Sequence, residues 1–134
     1  MFKSHCRIAY SVVILFGLSV SSATASASLC QPQWHNAITM QDNEVRLEDG
    51  VDTFLIKPNG QLYYGVHKVR LNAQQQAALA DYHRMMADDL PYVLSHSQVI
   101  DLELCERVAK REVKEHEIQS LIPALKNWRS VTLE

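Results

Sequence analysis

The sequence predicts an α+β domain: an antiparallel β-meander of three or four strands packed against a long helix, followed by further C-terminal helices. Three observations predict it. Apolar residues recur at every second position between Asn36 and Leu71, and from Asn72 onward they recur at every third and fourth. Asp49-Gly50 and Asn59-Gly60 cut the first part into strands, because Asp, Asn and Gly tolerate positive φ. Asn72 with Gln75 three positions later forms a capping-box pattern where the period changes. Residues 28–134 thus read as one domain, with 36–71 the β-meander and 72–134 the helical part.

Each element follows from its own residues. Lys3 and Arg7 precede a short apolar run, Ile8 to Val20, and then the small-residue patterns Ala23-Thr24-Ala25 and Ala25-Ser26-Ala27. A span needs about 20 apolar residues, so residues 1–27 read as a signal peptide cleaved after Ala25 or Ala27. Val45 and Leu47 alternate with charged neighbours, Phe54 and Ile56 with Thr53, Leu55 and Lys57, and Leu62 pairs in phase with Tyr64. A short segment at Lys68-Val69 follows Gly65. Leu79, Tyr82, Met86, Leu90 and Val93 make one helical stripe, and the helix Ala73 to Leu90 spans about 27 Å. Pro91 is expected to end or kink it, with Asp88 or Asp89 capping the next helix. That second helix, from about Tyr92 to Glu117, has Leu102, Cys105, Ala109 and Val113 as its expected buried side and a Glu106–Lys110 pair outside. Ser120 is the expected cap of a last short helix, with Pro123 in its first turn and Ile118, Leu121, Leu125 and Trp128 inward.

The net charge is −2, and it becomes more negative once Lys3 and Arg7 leave. With no block of Lys and Arg, a nucleic-acid partner is not expected. Cleavage also removes Cys6 and leaves Cys30 and Cys105. Leu29 directly before Cys30 and Ala27 three places before it reverse the order that lipid attachment requires. In an oxidising compartment the two remaining thiols are expected to pair. The alternative is a free Cys105 acting as a small buried hydrophobe.

The stretches "EVRLEDG" and "NGQLYYGVHKVRLNAQQQAALADYHRMMADDLPYV", with a cysteine just behind the leader, resemble the YggN-like bacterial periplasmic proteins. These carry a domain of unknown function, and this chain reads as a short member. The resemblance covers about Cys30 to Leu94. It implies a Gram-negative periplasmic setting and supplies no catalytic residues.

Chemistry-bearing patterns are sparse. His83 and Met86 are three apart on one helix and suit copper(I), although two ligands do not complete a site. His116 opens "HEIQS", which has Ser120 where a zinc-protease motif needs its second histidine. Asp42, Glu44, Glu48, Asp49 and Asp52 crowd the first hairpin without EF-hand spacing. Serines flank His96 in "LSHSQ", but neither a Gly-x-Ser-x-Gly elbow nor a Cys-x-x-Cys pair occurs. The sequence therefore predicts a non-enzymatic periplasmic module without cofactor or membrane span, meeting an envelope protein through Leu55 and Tyr63 or through its C-terminal helices. The alternative is a small-ligand or soft-metal binder using His83 and Met86.

Overall fold

The computed structural model describes residues 29–96 and 98–134. The expected signal peptide and both cleavage positions lie outside the described residues.

Five antiparallel strands follow one another in spatial order: β2 (Ala37–Gln41), β3 (Glu44–Glu48), β4 (Thr53–Ile56), β5 (Leu62–Tyr64) and β6 (His67–Lys68). Before them runs β1 (Pro32–Trp34), which pairs with the C-terminal strand β7 (Val131–Leu133) in a separate two-stranded ribbon. The turn between β2 and β3 has two residues, Asp42 and Asn43, with φ of 52° and 62°. Positive φ at both central positions matches the right-handed strand twist, so the hairpin closes tightly. Gly60 has φ +85°, and a Cβ there would stand 2.0 Å from the Gln76 carbonyl oxygen. Only glycine lets the β4–β5 turn lie this close to the helix above it.

That helix, α1 (Ala73–Ser95), covers one sheet face. Asn72 accepts from the Gln75 amide while the Gln75 side chain accepts from the Asn72 amide, so the capping box forms as expected. Val45, Leu47, Phe54, Ile56 and Leu62 below pack with Leu79, Tyr82 and Met86 above in one buried cluster. Leu90 packs against its edge. Tyr64 departs from this set: it is 44% exposed at the end of its strand. Its ring rests on Phe54, centroids 5.1 Å apart, and its hydroxyl donates to Asp52 at 2.5 Å.

The helix does not stop at Pro91. It runs one further turn to Ser95, although proline removes a donor and crowds the preceding turn at a cost of about 3 kcal/mol. Tertiary contacts offset this: Tyr92 and Val93 pack on Leu104, Val108 and Val131, and the Tyr92 hydroxyl donates to Asp101. The second helix, α2 (Leu102–Leu121), accordingly starts later than expected. Asp101, not Asp88 or Asp89, caps it by accepting from the Leu104 amide.

The buried face of α2 also differs from the expected one. Leu102 and Val113 are 67% and 71% exposed, while Leu104, Val108, Arg111, Glu115 and Ile118 are buried. Two charged residues interrupt the true apolar stripe, so hydropathy alone points to the wrong side. Outside, Arg107 pairs with Glu103 in place of the expected Glu106–Lys110 pair. Ser120 lies within α2 and caps nothing; its hydroxyl donates to the Glu117 carbonyl. Ile122 precedes a 3₁₀ turn at Pro123–Leu125 without a side-chain cap. Ile118, Leu125 and Trp128 are buried, with Leu121 packed beside them. The part expected to be wholly helical then ends in β7, which packs on α2 and closes the ribbon with β1.

Candidate functional site

Cys30 and Cys105 are joined, with sulfurs 2.03 Å apart and Cα atoms 5.7 Å apart. The bond fastens the chain ahead of β1 to the first turns of α2. It thereby holds the β1–β7 ribbon against the helix pair.

The core between α1, α2 and β7 holds a polar network. Glu115 accepts from the Tyr82 hydroxyl at 2.7 Å, and from the Ser130 amide and hydroxyl at 2.6 Å each. Trp128 Nε1 donates to the Tyr82 oxygen at 3.2 Å. Burial pushes the Tyr82 phenol well above its ordinary pKa, and the Glu115 carboxylate beside it acts the same way. Tyr82 is therefore a fixed donor. Asp89 is buried too; desolvation raises its pKa against the opposing hydrogen bond from Arg107, which reaches it at 3.0 Å. Arg111, 1% exposed, approaches Asp89 only to 3.8 Å, and its Nε and Nη2 lack a hydrogen-bond partner. The network joins three elements without presenting a reactive group to solvent.

At the far end of α1, Tyr92 and His96 stack with centroids 3.9 Å apart, and Arg107 lies 4.7 Å over the Tyr92 ring. The Asp101 hydrogen bond pushes the Tyr92 phenol up to about 12, and the same bond holds Asp101 below its ordinary pKa. Ser95, His96 and Asp101 stand in sequence here, yet their geometry opposes nucleophilic chemistry. His96 Nδ1 is 2.9 Å from both the Tyr92 carbonyl and Ser95 Oγ, and Asp101 is 3.9 Å from Nε2. The carbonyl can only accept, so Nδ1 carries the proton and cannot take one from Ser95.

His83 and Met86 do not form a joint solvent-facing pair. His83 is buried and its Nε2 donates to the Asn43 carbonyl at 2.7 Å, pinning the β2–β3 turn to α1. Met86 is enclosed in the core. His116 is exposed on α2. In the acidic hairpin Asp49 accepts from the Val51 and Asp52 amides, and Glu44 meets Lys57 at 2.9 Å. Among the described residues no three His, Cys, Asp or Glu side chains converge as metal ligands. Leu55 and Tyr63 pair across β4 and β5 and are half-buried, with Lys57 Nζ 5.4 Å above the Tyr63 ring.

Among the described residues β2 pairs only with β3, which leaves an open edge that the sequence reading did not single out. The register closes the β2–β3 hairpin at Gln41–Glu44 and pairs Thr39 with Arg46. In such a ladder Ala37, Thr39 and Gln41 turn their amides and carbonyls toward β3, and Ile38 and Met40 turn theirs outward. The side chains of Ile38 and Met40 lie on the helix-covered face, where Ala87, Leu90, Pro91 and Leu94 complete a groove of about 530 Å³. Leu94 is 80% exposed. Pro91 has no amide to give the Ala87 carbonyl, so this acceptor also stays free of its helical donor. The alternation Ile38-Thr39-Met40 ahead of Asp42-Asn43 was the available signal.

Fold and site together define a small disulfide-closed α+β domain in which, among the described residues, the outer edge of β2 is unpaired. No helix among the described residues is long and apolar enough to cross a membrane. No protein-family model, curated protein or solved structure matches the chain.

Proposed function

We propose that this chain is a non-enzymatic protein-interaction module of the periplasm or cell envelope, and that it receives an extended strand at the β2 edge. The observation that carries the reading is the coincidence of a five-residue edge, unpaired among the described residues, with an uncharged groove under the same residues, Ile38 and Met40. Backbone groups there supply affinity and the groove selects alternate side chains, which is strand addition in its ordinary form. The exported setting is supported by the leader-like start, the resemblance to periplasmic proteins and the joined cysteines.

In-cell photocrosslinking tests it. A photoreactive residue at Thr39 is expected to capture a protein chain, one at Lys68 on the opposite edge is not, and Leu94→Asp should weaken capture at least tenfold. Equal capture from both edges, or none from Thr39, overturns the reading.

A further inference from the structure

The two edges of the sheet are unlike. β6 has two residues, one of them Lys68 with Arg70 close behind. A short strand bearing lysine is a common way of discouraging edge pairing. β2 is five residues long, Ala-Ile-Thr-Met-Gln, with no charge, proline or bulge. It ends in a tight turn held by His83, so the edge is also rigid.

We infer that β2 pairs with β2 of a second copy of this chain, antiparallel about a two-fold axis through Thr39, to give one continuous ten-stranded sheet. This rests on the reading of the β2 edge given above and names its partner. The hydrogen-bond pattern selects the axis. Only Ile38 and Met40 face their backbone groups outward, so a matching strand must set them against outward-facing residues of its own. A two-fold at Thr39 does this twice, opposing Ile38 to Met40 of the second copy and Met40 to Ile38. Thr39 then meets Thr39 in the non-hydrogen-bonded position, with Cα atoms about 4.5 Å apart. Threonine pairs of this kind are favourable across strands.

Charge on the strand leaves the same partner unopposed. An isologous contact sets each residue near its own counterpart, so any charge close to the axis faces its like. Pairing through β6 would do this with Lys68. Through β2 neither the strand nor the groove beneath it carries a charged side chain, and the nearest charge, Arg46 one strand further from the axis, is paired with Glu48. The axis stands perpendicular to the sheet and leaves both α1 helices on one face. Leu90 and Leu94 of each copy then flank a shared apolar seam over Ile38 and Met40. Leu94, otherwise left in water, is covered.

Sedimentation of the exported protein over a concentration series, with Thr39→Lys, Thr39→Cys and Lys68→Cys, tests the inference. The unchanged chain should sediment as a dimer. Thr39→Lys sets two ammonium groups against each other at the axis and should raise the dimer dissociation constant at least tenfold, with unchanged circular dichroism. Thr39→Cys should link two copies under oxidising conditions, with the bond mapped by mass spectrometry to residue 39 in both, and Lys68→Cys should not. A monomer at every concentration, or a dimer indifferent to Thr39→Lys and unlinked by Thr39→Cys, overturns the self-pairing. Photocrosslinking at Thr39 separates that failure from the failure of the wider reading: capture of a different chain leaves the edge a docking site for another protein, and capture of nothing removes both.

Discussion

The Tyr82 hydroxyl donates to Glu115 Oε2 at 2.7 Å, with both residues buried, so a tyrosine on α1 and a carboxylate on α2 fix the helix pairing from inside the core. The same carboxylate holds Ser130 just ahead of β7. Tyr82→Phe removes one donor from Glu115 and the acceptor of Trp128 Nε1, and should cost about 1–3 kcal/mol in urea unfolding. Tyr64→Phe deletes the same kind of bond at an exposed site, and the midpoint should barely move. Equal effects at the two positions would remove the network from the account of stability.

Asp89 and Arg111 are buried 3.8 Å apart, beyond hydrogen-bond distance, and Arg111 is the less well satisfied of the two. Asp89→Ala should cost about 1–3 kcal/mol, because it removes the acceptor of Arg107 and leaves the buried Arg111 guanidinium without a neighbouring acceptor. Adding Arg111→Met should recover most of that loss, since it removes the stranded charge. A double-mutant cycle measures the coupling directly. Additive losses would mean that the two side chains do not act as a pair.

How the sequence disclosed this fold depended on whether polarity and burial agreed. On β3, β4 and the first four turns of α1 they agree, so Val45, Leu47, Phe54, Ile56, Leu79, Tyr82 and Met86 were legible as core. On α2 they disagree. Arg111 and Glu115 occupy inward positions, while Leu102 and Val113 face water, so the stripe was read from the wrong side. Pro91 and β7 were hidden for a different reason. Local rules end a helix at proline and offer Val131–Leu133 no neighbouring strand to pair with, and both outcomes are decided by contacts distant in sequence. The β2 edge was legible as alternation, but its openness belongs to the sheet order and not to any residue.

The Tyr92–Asp101 hydrogen bond, 2.5 Å long, gives stability a pH dependence at both ends. Asp101 has a lowered folded pKa, so its contribution is present above the ordinary carboxylate pKa and is lost as pH falls through the lowered value. Tyr92 is raised to about 12, so its contribution is present below the ordinary phenol pKa of about 10 and is lost as pH rises through 12. Asp89 has the opposite sign to Asp101. Its raised pKa favours the fold at low pH, and that part is lost as pH rises through the folded value. Ultraviolet titration of Asp101→Asn should show the Tyr92 phenol returning toward about 10. A phenol near 12 that persists in that variant would detach the shift from Asp101.

Gly60 and Gly50 share a positive φ, +85° and +89°, and differ in what surrounds them. A Cβ at Gly50 meets nothing within 4 Å, and Gly50→Ala should cost only the conformational strain of about 1–2 kcal/mol. At Gly60 it meets the Gln76 carbonyl oxygen at 2.0 Å and the Ala80 amide at 2.9 Å, both backbone atoms of α1. Gly60→Ala must push the β4–β5 turn off the helix and should cost at least about 1 kcal/mol more than Gly50→Ala. Thermal unfolding of the two variants side by side gives the difference. Matching losses would show that the turn moves away freely.

Reduction of the Cys30–Cys105 bond should destabilise the domain without unfolding its sheet. The cysteines are separated by 75 positions. A cross-link over that length restricts the unfolded chain enough to contribute about 4 kcal/mol on the chain-entropy account. That is a large share of the roughly 5–15 kcal/mol typical of a small domain. The denaturant slope should rise on reduction, because the opened chain exposes more surface when unfolded. Locally, the β1–β7 ribbon loses its anchor on α2, so its amides should exchange faster while those of β3 and β4 keep their protection. The Cys30→Ser, Cys105→Ala variant should reproduce both effects without reductant. Alkylation of both thiols in the untreated exported protein, or coincident unfolding curves with and without reductant, would remove the bond from the account of how this domain is held closed.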